Sequence, residues 1–551
     1  MKLAISALLL ACAPACFAQA TVKATITMRD PAALEVSYQM PPSCTGLAFA
    51  NDGMRPQTVT ELRRDWRADD DCTVFDANGI KPARASCTTL RVRVPASDRV
   101  LDRIYPWANP LGDGLYLHTD DYAPTQACGP VEWTFAAPGG TVVVDGVVGA
   151  DSATRTAGQV GDGIPVVLLK QAFQPGAPRV HADPRFGPQT MARVVSDALA
   201  VERQLKRDLP GVDFTMPYIA AAVAPRGNYQ ADMAHRTIMR LSFPAEPGPA
   251  QDEILLFILP HEMAHMTQPV NWNDSWAGEP LVHEGGAELL RVAAATHLGW
   301  YDQARMQAQL EHAVNACVLA AEGKNWKGIR NRGWGKVPYD CGLTFYLVAL
   351  GANPDPAPPL LRVRDYYRQA HTGQRTDFAQ ALECGARTGC QPRWLTRLAG
   401  DEPLDSVLLD ATRQPGALLQ VATRWSQETV ATLAYRHMDQ LMRADCGGAV
   451  SMYQEPAEVR IAAGPHCTAL RENMVVVAAQ GLPLFGGDGA ALKASVRACQ
   501  DTGKTVLGLK DGSSVTLACG KSVDLPARLF AVDAERAQAL LRTPLTSTTS
   551  N

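Results

Sequence analysis

The chain contains 551 residues, a length that exceeds one ordinary domain and predicts a multidomain protein with enough apolar side chains for several cores. Lys and Arg total 52 and Asp and Glu total 56, so the formal net charge at pH 7 is -4. This balance provides no basic surplus for a nucleic acid or an anionic membrane, and it argues against both as partners.

The N-terminus has the three regions of a secretory signal peptide. Lys2 supplies the positive start, residues 3–11 form a short apolar run, and residues 18–20 read Ala-Gln-Ala, a cleavage pattern. We therefore predict a cleaved signal peptide over residues 1–20 and a periplasmic or secreted protein. A lipobox-like segment ending at Cys12 is the alternative, and it would leave an acylated cysteine, but the apolar run before it is short. No later segment is apolar over the length of a membrane span.

Fourteen cysteines are present, and twelve remain once the predicted signal peptide is removed. An even number in an exported protein predicts disulfide bonds, and the local grouping of these cysteines predicts bridges within domains. Their connectivity stays open at this point. Metal-binding cysteines are a weaker alternative, because the sequence contains no C-x-x-C pair. The groups are Cys44, Cys72, Cys87 and Cys128; Cys317 and Cys341; Cys384 and Cys390; Cys446 and Cys467; Cys499 and Cys519.

Residues 21–158 carry short runs in which apolar and polar side chains alternate, broken by clusters of Pro, Gly and Asp. Alternation with a period of two is typical of strands with one buried face. Residues 22–28 and 34–38 show it most clearly, and residues 138–148 have the pattern of a last hairpin. We therefore predict an antiparallel β domain that ends near residue 158.

Residues 159–405 combine predicted strands with long helical segments. The apolar run 164–169 and the alternating run 236–243 predict strands. Apolar side chains at helical spacing dominate the remainder, which we interpret as one domain with a helical subdomain at its end. The predicted helices are residues 192–209, 253–266, 280–297, 304–322, 343–350, 362–370 and 377–384.

The last part of the chain returns to short strands. We predict a helical connection over residues 406–439 and a small β domain over residues 440–545, with one helix packed on its strands. The predicted strands are residues 457–461, 474–478, 505–509 and 514–517, and the helix is residues 489–499.

The strongest chemical signal is the segment His261-Glu262-Met263-Ala264-His265. On a helix, residues four apart share a face, so both imidazoles can reach one zinc ion while Glu262 lies beside it. A Glu in this position is suited to take a proton from a zinc-bound water. Chance produces such an HExxH string in roughly one chain of this length in a hundred, so the segment alone is only suggestive.

A second acidic segment strengthens the zinc interpretation. Glu284 follows His265 with eighteen residues between them and lies near the start of another predicted helix. Two His and one carboxylate leave a position open for water, as catalytic zinc sites do, so we predict His261, His265 and Glu284 as the ligands. Glu262 is then the predicted general base. Glu288, one turn after Glu284, is either a hydrogen-bond acceptor for a ligand His or an ordinary surface residue.

The spacing HExxH-x18-E, with Gly after its last Glu, resembles the gluzincin zinc peptidases, whose alanyl and glycyl aminopeptidases carry an E-G-x-A or E-G-x-T segment. The resemblance implies a thermolysin-like, mainly helical catalytic domain, one zinc ion per chain and a peptide or protein substrate. Residues 365–367 and 372–378 resemble a helical stretch of these enzymes, which extends the likeness to about residue 385.

The resemblance also suggests a second catalytic residue. The family stabilises the oxyanion with the Tyr of a Y-x-K-G segment, and Tyr339-Asp340-Cys341-Gly342 lies at a comparable spacing after Glu284. Tyr339 is therefore implied in this role. Cys341 replaces the family's Lys, and in the alternative Cys341 pairs with another cysteine and Tyr339 is structural.

One departure from the family concerns the substrate. Gluzincin aminopeptidases carry G-x-M-E-N or G-G-L-E-H about thirty residues before HExxH, and its Glu binds the free amine of the substrate. Here the corresponding place is residues 231–236, and Ala234 stands where the Glu would be. Asp232 either takes over this role or is a solvent-facing strand residue. Peptide hydrolysis is therefore better supported than removal of N-terminal residues, and no substrate-binding residue is assigned.

The layout of the chain also resembles the glycyl aminopeptidase family, which places a β domain before the catalytic domain and a PDZ domain after it. This implies a β-sandwich-like fold for residues 21–158 and a PDZ-like fold for residues 440–545, where residues 472–481 carry the likeness. A PDZ-like domain would bind a peptide ligand, but no loop for a peptide carboxylate is evident. The predicted fold class is multidomain α+β.

Together these features predict a zinc-dependent metallopeptidase that is aminopeptidase-like. Two alternatives stay open. One is an endopeptidase of the same clan, which the missing Glu at Ala234 favours. The other is a non-catalytic, metal-stabilised binding protein, motivated by Ala234, by Cys341 and by the appended β domains.

Overall fold

The structure of the chain is a computed structural model. It describes residues 21–42, 44–50, 56–99, 107–125, 128–157, 163–225, 229–329, 332–333, 335–352, 358–423, 425–447, 451–455, 457–462, 467–520 and 528–542. The predicted signal peptide with Cys12 and the predicted boundary near residue 158 lie outside these residues. The chain divides into two units, Met1–Gly176 and Ala177–Asn551. Among the described helices, none combines the length and the apolar character that a bilayer crossing requires.

The first unit is a β domain, and its described residues form twelve strands and one α-helix. They are β1 (Val22–Asp30), β2 (Ala33–Gln39), β3 (Leu47–Ala48), α1 (Pro56–Leu62), β4 (Arg67–Ala68), β5 (Thr73–Asp76), β6 (Gly79–Pro82), β7 (Thr89–Pro95), β8 (Asn109–Pro110), β9 (Gly114–His118), β10 (Val131–Val144), β11 (Val147–Ala157) and β12 (Pro165–Leu169).

A large sheet organises this unit. Its described strands follow the order β4-β7-β2-β1-β10-β12-β9-β8, with β11 also paired to β10, and β3, β6 and β5 form a smaller sheet. β1 and β10 run parallel, and the other pairs of the large sheet are antiparallel. The alternation read from the sequence sets the faces: Val22, Ala24 and Ile26 of β1 are buried, whereas Lys23 between them is exposed.

The long hairpin β10–β11 contains the segment predicted as a hairpin from its Gly and Pro residues. Its tight turn is Asp145-Gly146, and both residues have positive φ, 50° and 74°, as a two-residue hairpin turn requires. Residues 138–140 lie instead inside β10, where the pairing register shifts between Ala136 and Thr141.

Strand β12 shows where the sequence-based division departs from the structure. It pairs with β10 and β9 and so belongs to the first unit, although its residues were predicted to lie in the following domain, residues 159–405. All five residues of β12 are buried, so its sequence is a continuous apolar run. A run of this kind is also typical of the buried parallel strands of α/β domains, and it therefore does not reveal to which sheet the strand belongs.

The second unit begins with a four-stranded sheet and continues into helices. Its elements up to residue 411 are β13 (Val180–Ala182), α2 (Gly187–Asp208), β14 (Tyr218–Val223), β15 (Gln230–Ala234), β16 (Ile238–Phe243), α3 (Pro249–Asp252), α4 (Leu259–His265), α5 (Pro280–His297), α6 (Gln303–Ala321), α7 (Val337–Gly351), α8 (Leu360–His371), α9 (Trp394–Leu398) and α10 (Leu404–Ala411), with π-helical turns at Glu253–Ile258 and Gln380–Cys384.

The sheet order is β13-β14-β16-β15. The first three strands are parallel, and β15 is an antiparallel strand at the edge. Buried side chains of α2, β14, β16, α4 and α5 form one continuous hydrophobic core. The helices therefore lie on the sheet with α4 close to the edge strand β15, and this arrangement positions the site described below.

The remaining described elements form a small sheet and a terminal segment. They are β17 (Leu419–Val421), α11 (Gln427–Cys446), β18 (Ser451–Glu455), β19 (Glu458–Ala462), β20 (Val475–Ala479), β21 (Leu482–Pro483), α12 (Ala490–Thr502), β22 (Lys504–Leu509), β23 (Ser514–Ala518), β24 (Phe530–Val532) and α13 (Ala534–Leu540). The small sheet has the order β18-β19-β20-β22-β23, with β21 on β20.

The terminal segment returns to helix α6. β24 pairs with β17, and the small sheet is therefore inserted between these two strands. Phe530 and Val532 join the hydrophobic core that α2, α4 and α5 share. The backbone of β24 is held by three side chains of α6. Asn315 exchanges hydrogen bonds with both backbone groups of Phe530, Glu311 accepts one from the Val532 amide, and Gln307 donates one to the Val532 oxygen. The segment predicted as one β domain over residues 440–545 therefore has two parts: the small sheet forms its own core, and β24 packs on α6.

The twelve cysteines that follow the predicted signal peptide form six disulfides. Each bond lies within one of the local groups read from the sequence, and none joins the two units. The prediction of disulfides within domains is confirmed, as is the mixed α+β, multidomain architecture. The pairs are Cys44–Cys128, Cys72–Cys87, Cys317–Cys341, Cys384–Cys390, Cys446–Cys467 and Cys499–Cys519.

Candidate active site

Helix α4 brings the two histidines of the HExxH segment together. His261 and His265 lie one turn apart, both are buried, and their Nε2 atoms are 3.1 Å apart. A π-helical turn at Glu253–Ile258 runs directly into α4, with helical backbone angles at Ile258 and Leu259, so the predicted helix 253–266 combines two helical types. Pro260 therefore lies inside a continuous helical stretch, and the π-helical turn before it is where the hydrogen-bond ladder adjusts to its missing amide.

Helix α5 adds the predicted third ligand. Glu284 Oε2 lies 3.3 Å from His261 Nε2 and 3.4 Å from His265 Nε2. A glycine pair allows α5 and α7 to approach at this point, because a Cβ on Gly285 would collide with the backbone of Gly342. The structure therefore brings together the three side chains that the sequence singled out, with their ligand atoms within 4.8 Å of one another.

The geometry of these three atoms fits a zinc ion. Tetrahedral zinc with bonds of about 2.0–2.1 Å has ligand atoms about 3.4 Å apart, and the observed edges are close to this length. Glu284 Oε2 is buried, and no described residue gives it a hydrogen bond of ordinary geometry. A buried carboxylate oxygen that faces two imidazole nitrogens is stabilised by a positive charge, which a metal ion or a proton on one of the rings can supply. The donor set, two nitrogens and one carboxylate oxygen, is that of catalytic zinc sites.

The pKa of His261 also supports a bound positive charge at this position. Burial by itself lowers the pKa of this imidazole, but Glu284 and Glu288 more than offset burial, and the pKa rises to about 9. The two carboxylates therefore favour a positive charge at the place where the three atoms meet. A bound cation competes with that proton.

Glu288 supports His261 from behind. Its Oε1 lies 2.8 Å from His261 Nδ1, and its Oε2 accepts two hydrogen bonds from Arg291, of 2.9 and 2.6 Å. Glu288 is only 6% exposed, so it is not a solvent-facing residue of the helix. Arg291 was not anticipated from the sequence, although its position three residues after Glu288 on one helix face is a signal that can be read there.

His265 is supported by a different residue, which the sequence analysis missed. Gln268 lies three residues after His265 in the turn that follows α4, and its Oε1 is 3.0 Å from His265 Nδ1. On the other side, the ring of His283 stacks on the ring of His265 with centroids 4.3 Å apart. Burial, followed by the electrostatic effect of the neighbouring His265 ring, lowers the pKa of His283 to about 3, so His283 stays neutral.

Tyr339 lies in the first turn of α7 and borders the site. Its ring stacks on the ring of His261, with centroids 5.0 Å apart. Burial, and then the negative charges of Glu284, Glu262 and other carboxylates, raise the pKa of Tyr339, so its hydroxyl keeps its proton. The disulfide Cys317–Cys341 ties α7 to α6 two residues later, and the pairing weighed as an alternative is present while Tyr339 still faces His261.

Glu262 and the edge strand β15 form the open side of the site. Glu262 is partly exposed on α4. Asp232 of β15 is paired across the sheet with Arg240, whose Nε lies 3.2 Å from Asp232 Oδ1. Burial of Oδ1, followed by the charge of Glu262, raises the pKa of Asp232 to about 7, although the side chain as a whole is 42% exposed. Ala234 follows on the same face of the strand, because side chains two residues apart share a face.

Comparisons with known proteins add little to this geometry. No protein-family model matches the sequence, and neither does any curated protein. Among solved structures, the chain is similar to an aminopeptidase N family protein from Idiomarina loihiensis, at 12% identity and a TM-score of 0.49 over 95% of this chain and 100% of that one. It is also similar to the M1 zinc metallopeptidase from Deinococcus radiodurans, at 15% identity and a TM-score of 0.31 over 67% of this chain and 91% of that one. At these values the likeness supports no functional conclusion.

A cavity of about 300 Å³ opens beside His283. It lies on the side of the site formed by the loop between α4 and α5 and by the turn after β15. His283 lines this cavity, and its ring stacks on the ring of His265. The side chain of His283 therefore lies between the cavity and the predicted zinc ligand His265. Its lining residues are Arg236, Pro269, Val270, Trp272, Ala277, Gly278, Glu279, Pro280 and His283.

Proposed function

We propose that the chain is a zinc-dependent metallopeptidase, with one zinc ion held by His261, His265 and Glu284. The observation that supports this most strongly is the triangle of Nε2, Nε2 and Oε2 atoms, with edges of 3.1, 3.3 and 3.4 Å, buried and facing inward. Polar side chains lie behind both imidazoles, Glu288 2.8 Å from His261 Nδ1 and Gln268 3.0 Å from His265 Nδ1, and polar partners of this kind orient metal ligands in proteins.

The chemistry follows from the placement of the side chains. Zinc in such a donor set polarises a carbonyl and lowers the pKa of a bound water toward about 7. Glu262 lies on the open side of α4, where it can take a proton from the attacking water and pass it to the leaving amine. Tyr339 keeps its hydroxyl proton and donates a hydrogen bond to the substrate carbonyl oxygen as negative charge develops on it.

Strand β15 gives the substrate a place to bind. Within the described residues β15 pairs only with β16, so its outer edge presents free backbone groups next to α4. An extended peptide can pair with such an edge. The cavity beside His283 then offers space for one of its side chains.

We further propose that the enzyme is aminopeptidase-like, with Asp232 in the role that Ala234 cannot fill. Asp232 lies on the same strand face as Ala234, two residues earlier, and keeps a partly exposed carboxyl group close to the charge of Glu262. A carboxylate there can bind a substrate ammonium group. In the endopeptidase alternative Asp232 serves only to pair with Arg240.

The disulfides also support the proposed location. Six disulfides are stable in an oxidising compartment and are rare in the cytosol. We propose a periplasmic or secreted enzyme. A peptide ligand of the small sheet, predicted from its PDZ-like sequence pattern, stays a prediction that binding to immobilised peptides can test.

Glu262→Gln tests the proposed function. With the general base removed, kcat falls by about 10²–10⁴-fold while the zinc content stays near one ion per chain. The measurement is cleavage of a peptide library by mass spectrometry, with metal analysis of the same sample. Glu246→Gln, at an exposed position ahead of α3, is the matched control and retains activity. If the zinc-loaded wild-type protein cleaves nothing and Glu262→Gln behaves identically, the non-catalytic binding protein is the correct interpretation.

A further inference from the structure

The two histidines of the proposed zinc site are held in different ways. His261 Nδ1 faces the carboxylate of Glu288, whereas His265 Nδ1 faces the amide oxygen of Gln268 at 3.0 Å. Gln268 is fully buried, so its amide exchanges no hydrogen bonds with solvent. Its amide is therefore a feature of this chain that needs its own explanation.

The orientation of the Gln268 amide is determined by its second partner. Its Nε2 donates a hydrogen bond of 2.6 Å to the backbone oxygen of His283, and a longer one of 3.3 Å to the Tyr367 hydroxyl. A backbone carbonyl can only accept, so the NH₂ group must face His283 and the amide oxygen must face His265. Because that oxygen can only accept, His265 Nδ1 must carry the proton. Neutral His265 then presents the lone pair of Nε2 to the other ligands.

A glycine makes room for this amide. A Cβ on Gly286 would collide with the Tyr367 hydroxyl and would lie 3.0 Å from Gln268 Nε2. Gly286 follows Glu284 by two residues on α5. The helix that carries the ligand Glu284 therefore also leaves space for Gln268, the residue that supports the ligand His265. The absence of a side chain at Gly286 thus allows the Gln268 amide and the Tyr367 hydroxyl to lie against α5.

The backbone of Gln268 is held as well. Arg236 donates hydrogen bonds to the backbone oxygens of Gln268, at 2.6 Å, and of Met266, at 3.1 Å. Arg236 and His235 form the turn between β15 and β16 with positive φ values of 60° and 49°, a conformation that side-chain-bearing residues seldom adopt. Surrounding contacts must stabilise a turn with this strained conformation. The hydrogen bond from Arg236 to the backbone oxygen of Gln268 is one such contact.

We propose that Gln268 is a positioning residue, whose amide oxygen fixes His265 in the tautomer that presents Nε2 to zinc. This inference rests on the proposed zinc site. Tyr367, Gly286 and Arg236 keep the amide in place. Residues that orient metal ligands in this way contribute about 10–100-fold to metal affinity, and we expect an effect of this size.

Gln268→Met in the full-length protein tests the inference. Met has a similar volume but neither accepts from His265 nor donates to His283. The control is Gln251→Met, because Gln251 is also buried and also donates to backbone oxygens, those of Pro244 and Ala245, but contacts no predicted ligand. Zinc Kd is measured by competition with a chelator, the absorption spectrum of the Co²⁺ form reports ligand geometry, and thermal unfolding of the metal-free protein reports packing.

The expected result separates positioning from packing. Gln268→Met raises the zinc Kd about 10–100-fold and changes the Co²⁺ spectrum. Gln251→Met lowers the Tm of the metal-free protein without changing the zinc Kd. An unchanged Kd in Gln268→Met, or an equal rise in Gln251→Met, would overturn the inference.

Gln268→Glu gives the sharper comparison. It keeps an oxygen against His265 but places a charge in a buried site, so a positioning role predicts tighter zinc binding than in Gln268→Met, and a packing role predicts the reverse. If Gln268→Met fails to fold, Tyr367→Phe removes one acceptor of the amide, and we then expect a smaller rise in Kd; no rise contradicts the inference. Because the deciding readouts, the zinc Kd and the Co²⁺ spectrum, do not depend on peptide hydrolysis, a protein that binds zinc in this way but hydrolyses no peptide overturns only the proposed function.

Discussion

Two buried histidines in the second unit have opposite electrostatic surroundings. His261 faces the carboxylates of Glu284 and Glu288, and its pKa rises to about 9. His437 of α11 lies 2.7 Å from the Ser495 hydroxyl in the core of the small sheet, and burial lowers its pKa to about 4. The first environment favours a positive charge, whereas the second excludes one.

This difference shows which buried polar clusters point to a function. Around His437 the partners are hydroxyl groups, since Ser495 Oγ is in turn 2.6 Å from Thr505 Oγ1, and the network holds a neutral imidazole. Around His261 the carboxylates of Glu284 and Glu288 converge on imidazole nitrogens, and the arrangement favours a bound positive charge. The first is a structural network and the second is a candidate catalytic site.

The largest effect that would sharpen this contrast is expected from Tyr339→Phe. Loss of a hydrogen-bond donor to the developing oxyanion lowers kcat by about 10²–10³-fold, or about 2.7–4 kcal/mol, with KM nearly unchanged. Steady-state kinetics on a cleaved peptide measure both constants. Tyr346→Phe is the control on the same helix, because it removes a hydroxyl that bonds the Val282 oxygen and Tyr367 but contacts none of the proposed zinc ligands, nor Glu262 or Tyr339. A rise in KM at constant kcat would assign Tyr339 to substrate binding instead.

The histidine of the small sheet predicts a pH effect on stability. In the unfolded chain His437 has a pKa near 6.5, above its folded value of about 4, so the unfolded state binds more protons between these values. Stability contributed by this group is therefore complete above pH 6.5 and is lost as the pH falls, by about 3 kcal/mol at pH 4.

Hydrogen exchange measured by mass spectrometry checks this in the full-length protein. Protection of α11 and α12 amides, corrected for the intrinsic pH dependence of exchange, is expected to fall between pH 6.5 and 4 in the wild type. His437→Gln removes the titrating group and flattens that dependence. A wild-type profile that is equally flat would show that His437 is charged in the folded state, and the contrast with His261 would fail.

Asp232→Asn is expected to have the smallest effect, and it separates the two peptidase alternatives. Loss of a charged partner for the substrate amine lowers kcat/KM on free-amine peptides by about 10–100-fold, since hydrogen bonds to charged groups contribute about 1.5–3 kcal/mol. The matched N-acetylated peptides are unaffected. Because the pKa of Asp232 is about 7, the wild-type preference for free amines also falls as the pH drops below 7. Activity on acetylated peptides alone would establish the endopeptidase.

Much of the catalytic region is predictable from local patterns. Helix α5 has the bounds predicted from its apolar spacing, residues 280–297, and the positions of His261, His265 and Glu284 follow from helical geometry and chain spacing. A period of 3.6 residues also predicted one helix over 253–266, but it does not distinguish an α-helix from the π-helical turn that precedes α4.

The features that were missed depend on contacts distant in sequence. Gln268 meets His283 and Tyr367, and Arg236 meets Gln268, through tertiary packing that no local pattern encodes. The return of β24 to α6 rests on side chains such as Asn315 that bond to a backbone more than two hundred residues away. The position of Asp232 on a strand could be predicted from the alternating pattern. Its proximity to Glu262 could not, because it depends on the packing of α4 beside β15.

The most direct measurement is anomalous X-ray diffraction at the zinc absorption edge from crystals of the protein grown with zinc. The account predicts one strong anomalous peak in the second unit, within bonding distance of His261 Nε2, His265 Nε2 and Glu284 Oε2, at about 2.0–2.2 Å from each. The peak disappears in Glu284→Ala or falls sharply in occupancy. A zinc-saturated crystal with no peak among these three atoms, or with its zinc elsewhere, would contradict the central claim.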